Sequence, residues 1–247
     1  MLIKNDKGFY VLSAFSKYEN LVHGFSTKGL GDMRFNIPGN EKHRSKFAKA
    51  LGVSKYFVAA EQVHKNKIAE VGVKDPGIMV SGVDGLVTTK PGVSLLIRVA
   101  DCLPILAFDP NKQIVGIAHA GWWGTVAKVA EDLIRTFVKM GSQPNQIIAG
   151  FGPAIEVCHY EVSEGRVAKV VAAGLENALL KSVSGKTFFD LKLANLNQLV
   201  SVGILKNNID MSLKVCTYEN PDFYSWRREK PNLSGNFAAV IGLKDEK

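Results

Sequence analysis

The sequence lacks long apolar runs and any export signal, and each absence excludes a class of protein. No apolar stretch reaches the ~18 residues that a membrane-spanning helix needs. Residues 1–7 (MLIKNDK) mix acidic and basic side chains and contain no apolar core of the kind found in secretory signals. We therefore expect a soluble, cytoplasmic protein with no membrane partner.

Cysteine is also scarce. The chain has three cysteines, Cys102, Cys158 and Cys216, which are odd in number and far apart. In a chain without an export signal this pattern argues against a disulfide framework. Chemistry or simple burial is the better expectation for each thiol.

The motifs of nucleic-acid-binding proteins are missing, although the chain is basic. Its net charge of +8 would suit either an anionic substrate or a nucleic acid. The lysines are scattered, however, and there is no arginine-rich tract and no zinc-finger spacing. Since basic charge alone predicts only salt-sensitive, non-specific contact, we expect no nucleic-acid partner.

The patterns that are present predict one α/β domain over residues 1–247. Hydrophobic residues make up 46% of the chain and charged residues 22%, which is ordinary for a globular protein. Strand and helix patterns alternate without a repeat or a linker. Strands are predicted at 56–60, 85–88, 94–99, 105–108, 114–118, 146–151 and 213–217. Helices are predicted at 40–51, 125–138, 163–181 and 191–202.

Three potential metal ligands, His64, Cys102 and His119, each lie at or beside the end of a predicted strand. Side chains at strand ends can converge in a cleft while the sheet holds their backbones still. Two imidazoles and one thiolate form a catalytic zinc set that leaves a fourth position for water or substrate. The spacing alone is a weak signal, and a buried thiol with two hydrogen-bonded core histidines is the alternative.

The segment that follows the third ligand favours the metal site. Residues 119–124 (HAGWWG) predict a tight, glycine-flanked turn between a buried strand and a helix N-terminus. Such a turn exposes backbone N–H groups toward anions. A histidine at this junction is not a typical packing choice.

Eight short blocks also stand in a characteristic order. They are HGFSTK (23–28), EQVH (61–64), ADCLP (100–104), HAGW (119–122), GPAI (152–155), YEV (160–162), CT (216–217) and FYSWRR (223–228). In order and spacing they resemble the laccase-domain family, known as multicopper polyphenol oxidase, purine nucleoside phosphorylase or peptidoglycan editing factor. The resemblance extends from about Val22 to Ile241.

The resemblance implies that His64, Cys102 and His119 bind the metal and act in catalysis. It implies a zinc-dependent nucleoside phosphorylase acting on adenosine, inosine, guanosine and methylthioadenosine, with adenosine deaminase activity beside it. Purine nucleosides and phosphate are then the partners, and copper is the alternative metal. The implied fold is α/β (α+β), with layered mixed β-sheets flanked by helices.

Several positions depart from the family pattern. Trp123 stands where arginine is usual, and the loss of that cation predicts altered anion affinity or substrate preference. Cys158 and His159 stand where a pair of cysteines is common. The blocks STKGLG (26–31) and GN (235–236) replace S-T-R-x-G-G and a glycine-arginine pair.

Four further residues are candidates for the site. Asp101 could orient a ligand histidine in catalysis or bind ribose hydroxyls, and a turn cap is the alternative. Gln62 would share a face with His64 if the strand continued, and it would then bind base or ribose. Arg44 and Arg227 are candidate phosphate ligands because guanidinium pairs with oxyanions bidentately; a solvated surface is the alternative.

Several other side chains could have either a functional or a structural role. His23, His43 and His159 are expected to be structural or at the surface. The indole rings of Trp122 and Trp123 could stack on a purine or pack in the core. Asp84 could lie near the site, or it could form the turn before the following strand, and the sequence supports both roles equally.

Three other functions compete with the phosphorylase. A copper oxidase would use the same ligands, but Cys102 and His119 are separated by a whole strand without a nearby methionine, and five histidines are few for a multicopper site. A metal-free hydrolase would use Cys102 as nucleophile and His119 as base, trimming cell-wall precursors. A metal-stabilised binding module is the non-enzymatic alternative.

Overall fold

The structure is a computed structural model that describes residues 1–73, 75, 77–211 and 215–245. The strands within these residues are β1 (Leu2–Lys4), β2 (Tyr10–Leu12), β3 (Leu21–Phe25), β4 (Val58–Ala60), β5 (Ile68–Glu70), β6 (Met79–Val80), β7 (Gly85–Thr88), β8 (Ser94–Val99), β9 (Leu103–Asp109), β10 (Ile114–Ala120), β11 (Ile148–Phe151), β12 (Leu179–Lys181), β13 (Thr187–Phe189), β14 (Ile209–Asp210) and β15 (Phe237–Leu243). The helices are α1 (Ser13–Ser16), α2 (Glu41–Leu51), α3 (Trp122–Val126), α4 (Val129–Lys139), α5 (Glu164–Ala172), α6 (Leu191–Ser201) and α7 (Trp226–Glu229). None of the helices in the described ranges has the length and apolarity to cross a membrane.

Two large sheets and one hairpin organise these strands. The seven-stranded sheet has the order β1-β2-β3-β15-β8-β4-β6, and the six-stranded sheet has the order β14-β11-β9-β10-β7-β5. Most neighbours are antiparallel, whereas β4 joins both β6 and β8 in parallel, β5 joins β7 in parallel and β11 joins β14 in parallel. Strands β12 and β13 form the separate hairpin. The predicted α/β fold of layered mixed sheets is therefore confirmed.

The two large sheets pack face to face, because alternate residues of their central strands share one apolar cluster. Ile97 of β8 and Phe108 of β9 lie in that cluster. Leu96 points the other way and packs with Phe47 of α2, while Ile105 packs on the outer face of the second sheet with α4 and α6. Both faces of each sheet are thus largely buried, which explains why the central strands are apolar at most positions.

Most predicted elements are present with shifted ends. The strands at 85–88 and 94–99 have the predicted bounds, and those predicted at 105–108 and 114–118 are longer at one or both ends. Helix α2 begins after Asn40 as predicted, but the Asn40 amide donates to Asp32 Oδ2 at 2.8 Å instead of capping the helix. The alternation of apolar and polar residues therefore located the elements better than it located their termini.

Two predicted helices were wrong in extent. The helix predicted at 125–138 is divided into α3 and α4 by Lys128, whose φ of 68° places it in the left-handed region. The helix predicted at 163–181 ends at Ala172, and Gly174 follows with a φ of 71°. Glycine at that conformation is a common helix terminator.

The strand predicted at 213–217 is only partly testable, because residues 212–214 lie outside the described residues. Among its described members, Cys216 forms an isolated bridge with Ala154 and Thr217 lies in a turn. The strand predicted at 146–151 starts later, at Ile148, after a 3₁₀ turn at Pro144–Gln146.

One end of the sandwich collects several strand ends. Strand β4 ends at Ala60 and β8 ends at Val99, both in the seven-stranded sheet. Strand β9 begins at Leu103 and β10 ends at Ala120, both in the six-stranded sheet. Residues 100–102 therefore carry the chain from one sheet to the other at this end.

Candidate metal centre

The three potential metal ligands meet at this end of the sandwich. One ligand atom each from His64, Cys102 and His119 lies within 4.8 Å of the others. The two imidazole rings meet edge to face, with centroids 4.8 Å apart. His119 is buried, Cys102 is partly buried and His64 is exposed. Such a set of two imidazoles and one thiol could hold a metal ion and leave a position open toward solvent.

The loop that carries His64 is held in an unusual backbone conformation. Both Gln62 (φ 68°) and His64 (φ 59°) lie in the left-handed region, and so does Asp101 (φ 93°) on the sheet-to-sheet connection. Non-glycine residues rarely adopt this conformation, and they do so mainly where the surroundings impose it. Three such residues border the same site, which indicates that the fold holds this backbone against its local preference.

Asp84 is the group that fixes the loop. It lies immediately before β7, is fully buried, and accepts hydrogen bonds from the backbone N–H groups of Val63 (3.2 Å), His64 (2.9 Å) and Lys65 (2.7 Å). Its Oδ1 atom also lies 2.9 Å from Nδ1 of His119. One carboxylate therefore positions two of the three candidate ligands.

This carboxylate determines which imidazole nitrogen faces the centre. A proton on His119 Nδ1 donates to Asp84, which leaves Nε2 for a metal or for Cys102. Burial opposes ionisation of Asp84, but the hydrogen bonds from His119 and from the backbone of Lys65 outweigh it and lower the carboxyl pKa. The carboxylate that contacts a candidate ligand histidine is thus Asp84 and not Asp101. The role of Asp101 toward ribose hydroxyls stays a prediction.

The side chains of the centre polarise one another. Burial opposes ionisation of the Cys102 thiol, but His119 and His64 outweigh it and lower the thiol pKa to about 6. Burial likewise disfavours the charged imidazole, but Cys102 and Asp84 raise the pKa of His119 to about 9. The thiolate form, which is the form that binds metals, is therefore favoured by the protein itself.

Gly121 leaves no room for a side chain beside the centre. A Cβ atom built there would lie 2.9 Å from Cys102 Sγ and 3.4 Å from His64 Cδ2. Gly121→Ala should therefore displace the ligands, lower metal affinity at least about tenfold and cost about 1–3 kcal/mol of stability. Competition titration with a chelator and thermal unfolding measure the two effects.

Gly165→Ala is the matched control, because nothing lies within 4 Å of a Cβ at that position in α5. It should leave metal affinity unchanged and alter stability by at most about 1 kcal/mol. Equal metal affinities in the wild type and Gly121→Ala would show that the contact with Cys102 does not shape the centre.

A cavity of about 560 Å³ opens beside the three ligands and is lined by all of them. This volume is within the range of small-molecule sites. Four cationic side chains also line it, together with an apolar and aromatic surface. The cations are Arg98, Arg166, Arg227 and Lys230, and the apolar surface includes Trp122, Ile155, Tyr160 and Leu191.

Gln62 and Asp101 line the cavity, but the structure engages both side chains. Strand β4 ends before Gln62, so the expected continuation to His64 is absent; the Gln62 amide instead pairs with the Arg98 backbone at 2.6 and 2.8 Å. The Asp101 carboxylate accepts from Thr217 Oγ1 and from the Arg227 backbone N–H, each at 2.6 Å. These contacts give both residues a part in shaping the wall.

The two predicted phosphate ligands are placed differently. Arg44 is not among the described lining residues; its guanidinium donates to the Arg34 carbonyl at 2.7 Å and lies over the Phe35 ring. Arg227 does line the cavity, but its guanidinium donates to the carbonyls of His159 (3.0 Å) and Glu161 (2.9 Å). The structure therefore engages both guanidinium groups with backbone carbonyls.

Sequence reasoning missed two arginines that line the cavity. Arg98 interrupts the apolar run at residues 95–99 of strand β8, and that interruption was the available signal. Arg166 lies on α5, where nothing in the local pattern marks it. Its guanidinium stacks over Trp122 at 4.9 Å, whereas Trp123 is turned away and carries Lys169 at 4.3 Å. Of the two tryptophans, Trp122 is therefore the one that lines the cavity.

Comparison with known proteins shows the family to which the chain belongs. Residues 17–244 match the family described as multi-copper polyphenol oxidoreductase laccase. The chain belongs to this family. A purine nucleoside phosphorylase from Deinococcus radiodurans is 38% identical over 203 residues, covering 82% of this chain and 76% of its own length. Adenosine deaminase RL5, from an unknown prokaryotic organism, is 30% identical over 208 residues, covering 80% and 79%.

Solved structures show the same laccase-family fold. The crystal structure of the hypothetical protein YfiH from Bacillus licheniformis superposes with a TM-score of 0.89 at 28% identity, covering 98% of this chain and 99% of that one. The YlmD structure from Geobacillus stearothermophilus gives the same score at 27% identity, covering 99% of each chain. The layered architecture is therefore shared along almost the entire length.

The remaining histidines of this laccase-family chain lie outside the centre. His23 is buried, accepts from the Leu12 N–H at 2.8 Å, and has its pKa lowered by burial to about 4, so its role is structural. His43 Nδ1 lies 3.1 Å from the Asp32 carbonyl. His159 is only partly exposed and belongs to a second group of potential ligands.

Proposed function

We propose that this chain is a zinc-dependent purine nucleoside phosphorylase acting on adenosine, inosine, guanosine and methylthioadenosine, with adenosine deaminase activity beside it. The observation that carries the proposal is the convergence of His64, Cys102 and His119 on one cavity with cationic and aromatic walls. The names of the relatives support the same reaction class.

The residues of the centre fit zinc. Two imidazoles and a thiolate are a known catalytic zinc set, and the exposed side of His64 leaves the fourth position accessible. A zinc ion held there would supply Lewis acidity beside the reacting atoms. A multicopper centre would need more imidazoles, yet His23 and His43 are bonded elsewhere. This distribution favours a phosphorylase over a copper oxidase.

Phosphate requires a cation that is free to pair with it. Arg166 and Lys230 line the cavity, and neither side chain forms a hydrogen bond or ion pair within the described part of the chain. Contact with the Trp122 ring restrains the Arg166 guanidinium, which reduces the entropy lost when it binds an anion. We assign phosphate binding to these two side chains, in place of Arg44 and Arg227.

The purine requires an apolar slot and a hydrogen-bond donor. Trp122, Ile155 and Leu191 supply apolar surface in the same cavity. Burial raises the pKa of Tyr160, so its hydroxyl stays protonated at neutral pH. A protonated phenol can donate to the departing base as the glycosidic bond breaks, which is the assistance that this leaving group needs.

A nucleoside panel tests the proposal. Purified protein should release free base from adenosine, inosine, guanosine and methylthioadenosine only when phosphate is present, with ribose 1-phosphate or its methylthio analogue as co-product. Inosine formed from adenosine without phosphate would report deamination. Release of no base from any substrate would contradict the phosphorylase. Phenol oxidation at enzymatic rates by copper-loaded protein would favour the oxidase, and a covalent Cys102 adduct in chelated, active protein would favour the hydrolase.

Arg166→Gln should raise KM for phosphate about 10- to 100-fold, because a charge-assisted pair worth about 1.5–3 kcal/mol is lost. KM for the nucleoside should change much less. Arg135→Gln is the matched control because it removes the same charge at another site. Arg135 is an exposed arginine on α4 that pairs with Glu131. If both variants raised KM for phosphate equally, the effect would come from overall charge and not from a phosphate ligand.

A further inference from the structure

A second group of potential metal ligands lies outside the centre. Cys158, His159, Cys216 and Glu219 each offer an atom within 4.8 Å of the others. Nδ1 of His159 is central to the group, at 3.1 Å from Cys158 Sγ, 3.7 Å from Cys216 Sγ and 3.6 Å from Glu219 Oε1. The first two residues belong to a 3₁₀ turn at Val157–His159, whereas the other two lie in the turn at residues 216–219.

We propose that these four side chains form a second, structural metal site that takes a borderline cation such as Zn²⁺. Two sulfur atoms, one imidazole nitrogen and one carboxylate oxygen supply four protein ligands, the number found in closed structural zinc sites. Thiolate and imidazole together select zinc over the hard cations magnesium and calcium. The site thus differs from the three-ligand centre, which keeps a position open.

The surroundings hold the ligands in place. The His159 ring stacks on Tyr218, with centroids 4.3 Å apart and an interplanar angle of 17°. The backbone N–H of Glu156 points at Cys216 Sγ from 3.5 Å, the kind of outer contact that supports a bound thiolate. The backbone N–H of Glu219 donates to the Cys216 carbonyl at 3.2 Å, which sets the turn that brings its carboxylate back to the group.

The site would brace the wall of the cavity. Thr217, next to Cys216, donates to Asp101 at 2.6 Å, and Asp101 precedes the ligand Cys102. Arg227, which lines the cavity, donates to the carbonyl of His159 at 3.0 Å. A cation here would tie together two chain segments that both contact the cavity wall. This inference does not depend on which reaction the cavity performs.

Metal content per chain tests the proposal. Reduced full-length protein, equilibrated with buffered zinc, should hold about two zinc ions per chain, and Cys158→Ser should hold about one. In a Cys102→Ser background, cobalt substitution should still give a thiolate-to-cobalt charge-transfer band, which Cys158→Ser should remove. Because Cys216 is buried, Glu219→Gln, at an exposed position, is the second variant and should weaken zinc binding at this site at least about tenfold.

Glu161→Gln is the matched control, since that exposed carboxylate pairs with Lys186 outside the group. It should retain both zinc ions with unchanged affinity. The proposal is overturned if the wild type holds one zinc that Cys102→Ser removes and Cys158→Ser does not. It is equally overturned if freshly purified protein that has met no chelator is lighter by two hydrogens and peptide mapping assigns the disulfide to Cys158 and Cys216, because those thiols would then not be available to a metal.

Discussion

Loss of any one ligand of the centre should abolish catalysis. His64→Ala, Cys102→Ala and His119→Ala are each expected to lower kcat/KM for phosphorolysis at least about 10³-fold, which corresponds to about 4 kcal/mol of transition-state stabilisation. The reason is that all three side chains converge on one site, so each removal takes a third of the protein ligands from a single ion. Steady-state kinetics in phosphate buffer measure the effect.

His43→Gln is the control for the loss of an imidazole. His43 contacts the Asp32 carbonyl and lies outside the lining of the cavity, so its variant should keep full activity. Circular dichroism should show that the three ligand variants stay folded, and metal analysis should show that each loses the ion of this centre. Activity that survives all three substitutions would rule out a metal-centred mechanism at this site.

Asp84→Asn should have the second-largest effect, although Asp84 is not among the residues that line the cavity. Its carboxylate accepts from three consecutive backbone N–H groups around His64 and from His119 Nδ1. An amide has one acceptor oxygen and no charge, so a buried donor is left without a partner. We expect a loss of about 2–4 kcal/mol of stability and a 10- to 100-fold loss of metal affinity.

Asp109→Asn separates these two effects. Asp109 is also buried and accepts from the backbone N–H groups of Asn111 (2.9 Å) and Lys112 (3.1 Å), but at the β9–β10 turn. Asp109→Asn should therefore lower the free energy of unfolding without changing metal affinity. If Asp84→Asn and Asp109→Asn had the same small effect on zinc binding, Asp84 would be a loop-capping residue and not a support for the metal ligands.

The sequence predicted the sheets better than the helices, for a physical reason. Strands β8, β9 and β10 are buried on both faces. A nearly continuous apolar run can be recognised as a buried strand from the local sequence alone. The break between α3 and α4 depends on a lysine with positive φ, which no local preference anticipates. Val126, expected on the face of one long helix, packs instead with the cluster around α5.

The grouping of His64, Cys102 and His119 was predictable from the sequence, whereas the residues that hold them in place were not. The ligands stood out because histidine and cysteine are unusual at the ends of apolar strands. The orienting carboxylate could not be found by proximity in sequence, since Asp84 is 35 residues from His119, whereas the adjacent Asp101 turns toward Thr217. The left-handed backbone at Gln62 also invalidated the assumption that residues two apart share a face.

The position of the proposed centre would couple the binding of an ion to the assembly of the two layers. His64 follows a strand of the seven-stranded sheet, His119 belongs to the six-stranded sheet, and Cys102 lies on the segment that joins them. An ion held by all three side chains would cross-link the two sheets. Separating the sheets on unfolding would therefore release the ion. By mass action each tenfold rise in free ion above its dissociation constant then adds about 1.4 kcal/mol to the work of unfolding. If the proposed centre binds its ion, the thermal stability of the protein would report the concentration of free metal.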